Sequence, residues 1–498
     1  MINKIKNLIL PFLFVGILPL QAQQTKVSNY TNNRYPLLQK PFVELPIGTI
    51  KPKGWLEEQM NRMATGMTGH MDSIYEKVMG QRNGWLGGDG DVWERGPYWI
   101  DGLLPLAYIL DNKELKQKVQ PWIEWTLASQ KPNGYFGPDT DKGYEPGLQR
   151  DNARDWWPKM VVLKIMQQYY SATKDQRVIP FMTNYFKYQL EELPKNPLGK
   201  WTFWAEQRGG DNLMMVYWLY NITGDKFLLE LGELLNSQNV NWTDVFTKDN
   251  HLYRQHSLHC VNLAQGFKQP TVYYQQSKDK ENLEAAEKAM KTIRNTIGTP
   301  IGLWAGDELI RFGDPIYGSE LCTAVEMMYS LETMLEITGN MQWADQLERI
   351  AYNALPTQIS DDAQARQYYQ QVNQIAVVND YHNFSTPHEG TDNLFGTLTG
   401  YPCCSSNLHQ GWPKFVQQKN FIVEKKKNIA TYPWTSADAP ITIRSKAYRL
   451  PGWTENRNST GSIAYLVQHH DSPEPKEYDI ELIPYGCSTL RITLFPVR

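Results

Sequence analysis

Two hydrophobic rhythms divide this chain. Up to about residue 360, apolar residues recur at helical spacing, and the helical stretches end in a recurring short polar turn. The turns, some of them partial, are Leu110-Asp111-Asn112, Tyr170-Ser171-Ala172-Thr173-Lys174-Asp175, Tyr220-Asn221-Ile222-Thr223-Gly224-Asp225, Ser277-Lys278-Asp279 and Ile337-Thr338-Gly339-Asn340. A Gly or short polar residue suits the left-handed position that closes one helix, and the Asp or Asn after it caps the next. The spacing, roughly 50 to 60 residues, accommodates two helices and a long connection per unit. Five or six such hairpins predict a mainly α fold: a solenoid or, with the ring closed, an (α/α)6 toroid. The Gly- and Trp-rich stretches 83–98 and 200–212 predict loops, and loops crowded at one end of a rigid scaffold are where a cleft forms.

Beyond residue 360 the rhythm changes. Residues 367–378 mix β-branched residues with Gln and Tyr, and 382–407 reads as loop. From Asn420 onward, alternating runs such as Ile441-Thr442-Ile443-Arg444 and Thr489-Leu490-Arg491-Ile492-Thr493-Leu494 predict antiparallel strands. The expected organisation is a helical domain over 41–417 and a small, incomplete antiparallel, β-sandwich-like region over 418–498, with Lys425-Lys426-Lys427 a solvated turn.

Residues 1–22 read as a secretory signal. Lys4 and Lys6 supply the positive region, Leu8 to Leu20 the apolar stretch and Leu20-Gln21-Ala22 the cleavage site. The apolar run is short for a bilayer and is interrupted by Pro11 and Pro19. A secreted or periplasmic protein without stable membrane insertion is expected.

Charge and composition narrow the partner. A net charge of −3 with mixed signs argues against nucleic acid. Seventeen Trp and 28 Tyr point instead to carbohydrate, because aromatic faces stack on sugar rings while neighbouring polar groups bind hydroxyls. Trp85, Trp93, Tyr98, Trp99, Trp156, Trp157, Trp201 and Trp204 all lie near Gly, Asp, Arg or Glu. Any one of them can be core volume; as a set they predict an oligosaccharide partner.

The five cysteines do not form a disulfide framework, being odd in number, sparse, and in one case adjacent. Cys403 and Cys404 have Cα atoms about 3.8 Å apart, which makes a mutual disulfide strained. A soft metal is the alternative, and Glu320-Leu321-Cys322 offers the remaining ligands. Glu320, Cys322, Cys403 and Cys404 make a four-ligand zinc site or, on the plainer reading, include inert buried thiols. The helical run 324–331 puts Cys322 near a helix start, whereas Cys403 and Cys404 read as loop residues. Trp304-Ala305-Gly306-Asp307-Glu308 brings two carboxylates beside Trp, either a general acid in a partly dry cleft or a solvated pair beginning a helix. His259, next to Cys260, reads as a packed histidine or a ligand.

Glu-x-Cys, followed some eighty residues later by Cys-Cys-x-x-Asn, resembles the β-L-arabinofuranosidase family, glycoside hydrolase family 127, from about Pro41 to Phe415. The resemblance implies an α/α toroid and a retaining hydrolase with zinc on Glu320, Cys322, Cys403 and Cys404. It also implies Cys403 as nucleophile and Glu308 as acid/base, with Asp307 in reserve; the interval from Glu308 to Glu320 is shorter than is usual in the family. His259 matches a substrate-contacting histidine, and Trp99, Arg208 and Asp211 complete the expected substrate-binding set.

Two departures stand out. Other pocket histidines of the family have no counterpart in Trp156-Trp157-Pro158-Lys159-Met160 or Gln207-Arg208-Gly209-Gly210-Asp211. The expected substrate is therefore arabinofuranose-like rather than simple β-L-arabinofuranose, drawn from plant cell-wall oligosaccharides. Arg208, Arg95 or Arg154 would pair with the carboxylate of an acidic sugar. Relatives also carry substantial β-sandwich material after the double cysteine, whereas here Lys414-Phe415-Val416-Gln417 runs into Gln418-Lys419-Asn420 and the stretch from Pro440 resembles only the family's extreme C-terminus. This pattern reads as an internal loss of β sequence. Two rival readings are a polysaccharide lyase on the same toroid, which would not need the cysteine pair, and a non-catalytic carbohydrate-binding protein with structural zinc.

Overall fold

The computed structural model describes residues 32–248, 252, 258–418, 421–423, 441–448, 462–469, 478–485 and 489–496. The secretory signal and the Lys425–Lys427 turn expected from the sequence lie outside the described residues.

Every one of the five expected turns contains a residue in the left-handed region: Asp111 (φ 53°), Lys174 (59°), Gly224 (77°), Lys278 (59°) and Gly339 (65°). At three of the turns the next residue caps the following helix: Asn112 accepts from the Leu115 N–H at 3.1 Å, Asp279 from Glu281 at 3.0 Å and Asn340 from Gln342 at 3.1 Å. Asp175 and Asp225 do not cap, because their helices start two or three residues later; Asp175 instead accepts the Arg177 N–H at 2.9 Å in the turn. Each turn sends an inner helix into its outer partner. The pairs are Arg95–Ile109 with Lys113–Ala128, Trp156–Thr173 with Val178–Glu192, Gly210–Thr223 with Phe227–Gln238, Gln269–Ser277 with Lys280–Thr296, and Leu321–Thr338 with Met341–Thr357. Gly411–Gln418 is the sixth inner helix, backed by Trp55–Thr65. Each inner helix packs on the next and the sixth packs on the first, so the ring closes as an (α/α)6 toroid.

Burial follows from position in the ring. Helix Leu321–Thr338 is buried without a break from Leu321 to Leu335, because it faces the lumen on one side and the outer helices on the other. The outer helix Lys280–Thr296 buries a single stripe, Ala285, Ala286, Ala289, Met290 and Ile293. Several aromatic residues expected to stack on sugar belong to this core. Trp85, Trp99, Trp156 and Trp157 are buried. Three of their indole N–H groups donate to backbone carbonyls, Trp85 to Val92 (3.1 Å), Trp99 to Thr68 (2.8 Å) and Trp156 to Asn196 (3.0 Å). Trp93, Trp201 and Trp204 are partly exposed. Volume and backbone satisfaction, rather than ligand stacking, explain the first group.

The lumen is polar as well as apolar. Lys268 meets Asp211 at 2.7 Å, Lys164 bridges Asp211 (3.2 Å) and Asp101 (3.4 Å), and Lys414 meets Asp101 at 2.6 Å. All five are buried. Because every inner helix returns through an outer one, the inner helices run parallel and their N-termini share one end of the ring. Their C-terminal ends surround a cavity of about 620 Å³ lined by Glu44, Trp218, Tyr329 and Glu336, among others.

Short strands crown the N-terminal end. Leu309–Ile310, Gly306–Asp307, Ser319–Glu320 and Tyr369–Gln370 lie side by side in that order. In the C-terminal region, Ile441–Tyr448, Ser462–His469, Tyr478–Tyr485 and Thr489–Pro496 pair antiparallel in sequential order, as the alternating runs predict. Phe421–Val423 pairs instead with Phe42–Glu44.

Candidate active site

Local folding brings two distant segments to one point. Glu320 ends its strand and immediately precedes helix Leu321–Thr338, its carboxylate turned to the cysteines rather than to the helix N–H groups, which leaves Cys322 in the first helical turn. The double cysteine is not in a loop, as the sequence suggests, but opens the short helix Cys403–Asn407, whose chain runs on through Leu408–Gln410 into the sixth inner helix. Pro402 ends the preceding segment, and the small Ser405 and Ser406 let the helix bury tightly against its neighbours.

The four expected ligands converge. Cys322 Sγ lies 3.1 Å from Cys404 Sγ and 3.7 Å from Cys403 Sγ. Glu320 Oε1 is 3.6 Å from both Cys403 Sγ and Cys404 Sγ. The four ligand atoms lie within 4.8 Å of one another, an arrangement able to hold a metal ion. The electrostatics agree with a cation. Burial, together with the neighbouring Glu308 and Cys403, drives the Glu320 carboxyl far above its ordinary range. Burial does the same to the Cys322 and Cys404 thiols. Cys403 differs: burial opposes its ionisation, yet hydrogen bonds from Cys322, Cys404 and Tyr368 hold its thiol well below the ordinary value.

Glu308 sits beside this cluster on the tight turn between Gly306–Asp307 and Leu309–Ile310, at φ 75°. A left-handed glutamate is strained, and the surroundings hold it in place. Its carbonyl accepts the Cys260 N–H at 2.7 Å, its Oε2 faces His259 Nε2 at 2.7 Å, and its Oε1 accepts from the Tyr368 hydroxyl. Asp307 points elsewhere: Ser385 donates to its Oδ1 at 2.5 Å.

Of the expected substrate residues, His259 and Arg208 lie at this end and Trp99 and Asp211 do not join the cluster. His259 packs edge-on against Trp204, with ring centres 5.0 Å apart. The Arg208 guanidinium lies over Trp157 at 4.7 Å and Trp204 at 4.5 Å, and meets Glu94 at 3.4 Å and Asn262 at 2.8 Å. Asp211 is the shared partner of Lys164 and Lys268, and Trp99 is core. Arg95 is engaged by Asp91, and Arg154 donates to the Asp139 carbonyl at 3.2 Å. The carboxylate-binding arginine expected from the sequence is therefore paired with a protein carboxylate at Arg95 and Arg208, whereas Arg154 is exposed and bonds to a backbone carbonyl.

Sequence reasoning missed three residues here. Tyr368 reaches both Glu308 and, at 3.6 Å, Cys403. Cys260 donates its thiol to Glu320 Oε2 at 3.2 Å. Glu94 is buried beside Arg208, and burial pushes its carboxyl up to about 7 despite that cation and the Trp157 N–H. Only the adjacency of Cys260 to His259 gave any signal; Tyr368 and Glu94 lie in stretches with no motif.

Residues 20–417 match the family described as "Beta-L-arabinofuranosidase, GH127 catalytic domain". The chain belongs to this family. The GH127 match starts before and ends just after the stretch the cysteine motif marks out, and it makes the protein a glycoside hydrolase. Solved structures are similar in fold. A glycoside hydrolase superimposes with a TM-score of 0.59 at 14% identity, covering 92% of this chain and 71% of its own. A GH127 beta-arabinofuranosidase gives 0.55 at 13%, covering 92% and 94%. Ara127N, a GH127 beta-L-arabinofuranosidase from Geobacillus stearothermophilus T6, gives 0.56 at 13%, covering 89% and 84%. No curated protein matches the chain.

Proposed function

We propose that this GH127 chain is an exported, zinc-dependent retaining glycosidase that releases an arabinofuranose-like sugar from plant cell-wall oligosaccharides. The observation that carries the reading is the Tyr368 hydroxyl, which touches Glu308 Oε1 and lies 3.6 Å from Cys403 Sγ. One side chain thus spans the two groups the chemistry needs, a nucleophile and an acid/base, at one point of the ring.

The donor set fits zinc. Three thiols and a carboxylate are a soft, four-atom set, and a tetrahedral ion with bonds of about 2.3 Å to sulfur and 2.1 Å to oxygen sets S–S edges near 3.8 Å and S–O edges near 3.6 Å. The Cys322–Cys403 edge is 3.7 Å and the Glu320 edges to Cys403 and Cys404 are 3.6 Å, while the Cys322–Cys404 edge is shorter at 3.1 Å. Glu320, Cys322, Cys403 and Cys404 would hold the ion, whose positive charge keeps the thiols ionised.

In the first step the Cys403 sulfur forms a bond to the anomeric carbon while the bond to the leaving oxygen breaks, and Glu308 supplies the proton that oxygen needs. In the second, the Glu308 carboxylate takes a proton from water, the water oxygen bonds to the anomeric carbon, and the sulfur leaves. His259 orients Glu308 through Nε2. Since Arg208 and Arg95 both lie against protein carboxylates, a neutral furanose suits the site better than an acidic one.

Metal analysis combined with turnover on a panel of neutral and acidic plant oligosaccharides tests the reading, with Cys403→Ser and Glu308→Gln alongside the wild type. Stoichiometric zinc and sugar release lost in both variants are expected. Full activity in zinc-free wild-type protein would sink the scheme. Unsaturated, ultraviolet-absorbing ends would point to a lyase, and binding without turnover to a carbohydrate-binding protein.

A further inference from the structure

Four residues beyond Cys322, on the same helix, stands Glu326; four residues beyond Cys403 stands Asn407. Both are fully buried. Asn407 Nδ2 donates to Glu326 Oε1 at 2.9 Å, and Gln410 Nε2 donates to the same oxygen at 3.1 Å. This hydrogen bond joins the two segments that carry the cysteines at matching distances from both ends. The two residues are 81 positions apart in the chain and come together where the fifth inner helix packs against the segment leading into the sixth.

The bond is anchored deeper in the lumen. Lys414 Nζ donates to Gln410 Oε1 at 2.8 Å and to Asp101 Oδ2 at 2.6 Å; Lys164 then links Asp101 to Asp211, and Asp211 meets Lys268. A chain of polar contacts therefore runs from beneath the cysteines across the inner helices. An apolar lumen of equal volume would pack as well, but it would leave the rotation and axial height of the Cys403–Asn407 segment unspecified. Directional hydrogen bonds fix both.

We propose that Glu326 and Asn407 are positioning residues for the metal centre, setting the spacing of Cys403 and Cys404 relative to Cys322 without touching the ion. The inference rests on the zinc reading of the site. Partners hydrogen-bonded to metal ligands typically change metal affinity by about 10- to 100-fold when lost, and Glu326 and Asn407 act on the same ligands through the helical turns that carry Cys322 and Cys403. Neither residue contacts substrate in this role.

The test is zinc affinity by competition with a chelator, using full-length folded protein and zinc alone. Asn407→Asp sets carboxylate against carboxylate and is expected to weaken zinc about 10- to 100-fold. Glu326→Gln combined with Asn407→Asp restores an amide-to-carboxylate bond of opposite polarity and is expected to recover the affinity. A merely structural pair would lower the melting temperature yet leave the zinc affinity of the folded protein unchanged, and that result would overturn the proposal. So would a loss in Asn407→Asp that the double variant does not recover. If Asn407→Asp does not fold, Asn407→Ser, which withdraws the donor without adding charge, is read in the same way. Wild-type protein that binds no zinc would instead remove the reading of the site on which the proposal stands.

Discussion

His259 Nε2 stands 2.7 Å from Glu308 Oε2, while Nδ1 of the same ring accepts the Val261 N–H at 3.1 Å. The second contact decides the first. With Nδ1 occupied as an acceptor, the ring proton sits on Nε2 and is donated to the carboxylate. His259→Phe should therefore lose about 10- to 100-fold in kcat, the equivalent of one hydrogen bond to a charged group. His259→Gln, which retains a donor, should recover part of it; equal rates in all three proteins would remove His259 from the site.

Glu308→Gln tests the acid/base through the leaving group. On a natural sugar aglycone the rate should fall about 10²- to 10⁴-fold. An aryl glycoside, whose phenolate leaves without a proton, should lose much less in the first step. Uniform loss on both substrates would move the role to another residue, with Asp307 the first to examine.

The two adjacent cysteines should separate. Cys403→Ser is expected to abolish turnover at any zinc concentration. Cys404→Ser should lower metal content and activity together, and excess zinc should restore much of both. Rescue of Cys403→Ser by zinc would show that its thiol is a ligand only.

Asp211→Ala should act on stability, not on substrate. It leaves Lys164 and Lys268 buried without their shared carboxylate, a loss on the order of 3–5 kcal/mol. Denaturant unfolding measures this, and KM in the folded fraction should be unchanged.

Glu44, at the cavity on the opposite end of the ring, should make stability depend on pH. Burial and the nearby Glu336 raise its carboxyl to about 7 against the pull of Lys40. The folded state then holds a proton that the unfolded state releases, so stability falls as pH rises between the ordinary carboxyl value and about 7. Glu44→Gln should gain on the order of 2 kcal/mol at pH 8 and little at pH 5. An equal gain at both values would contradict the protonation argument.

Much of the ring was legible because it rests on local chemistry. The turn at Tyr220–Asp225 needs a left-handed residue whether or not the toroid exists, and Gly224 supplies it at φ 77°. The same holds for Asn112 and Asn340 as caps. The cluster of Glu320, Cys322, Cys403 and Cys404 was legible for a different reason: adjacent cysteines have few uses, and Glu-x-Cys followed by Cys-Cys-x-x-Asn resembles a family motif. The helix at Cys403–Asn407 was not legible, since a five-residue helix after Pro402 carries no periodicity and is held by its neighbours. The aromatic residues misled because Trp beside a polar residue looks the same in sequence whether its N–H meets a sugar or, as with Trp99, the Thr68 carbonyl.

By itself the sequence determined the helical hairpins, their turns and the residue types at the centre, all of which depend on neighbours within a few positions. Tertiary structure alone decided that Tyr368 spans Glu308 and Cys403, that Cys260 holds Glu320, that Asp211 serves the lumen, and that Glu326 meets Asn407. Each of these contacts joins residues between 35 and 81 positions apart. Only the packing of successive hairpins and the strands above them brings these side chains together, and no local pattern records which will face which.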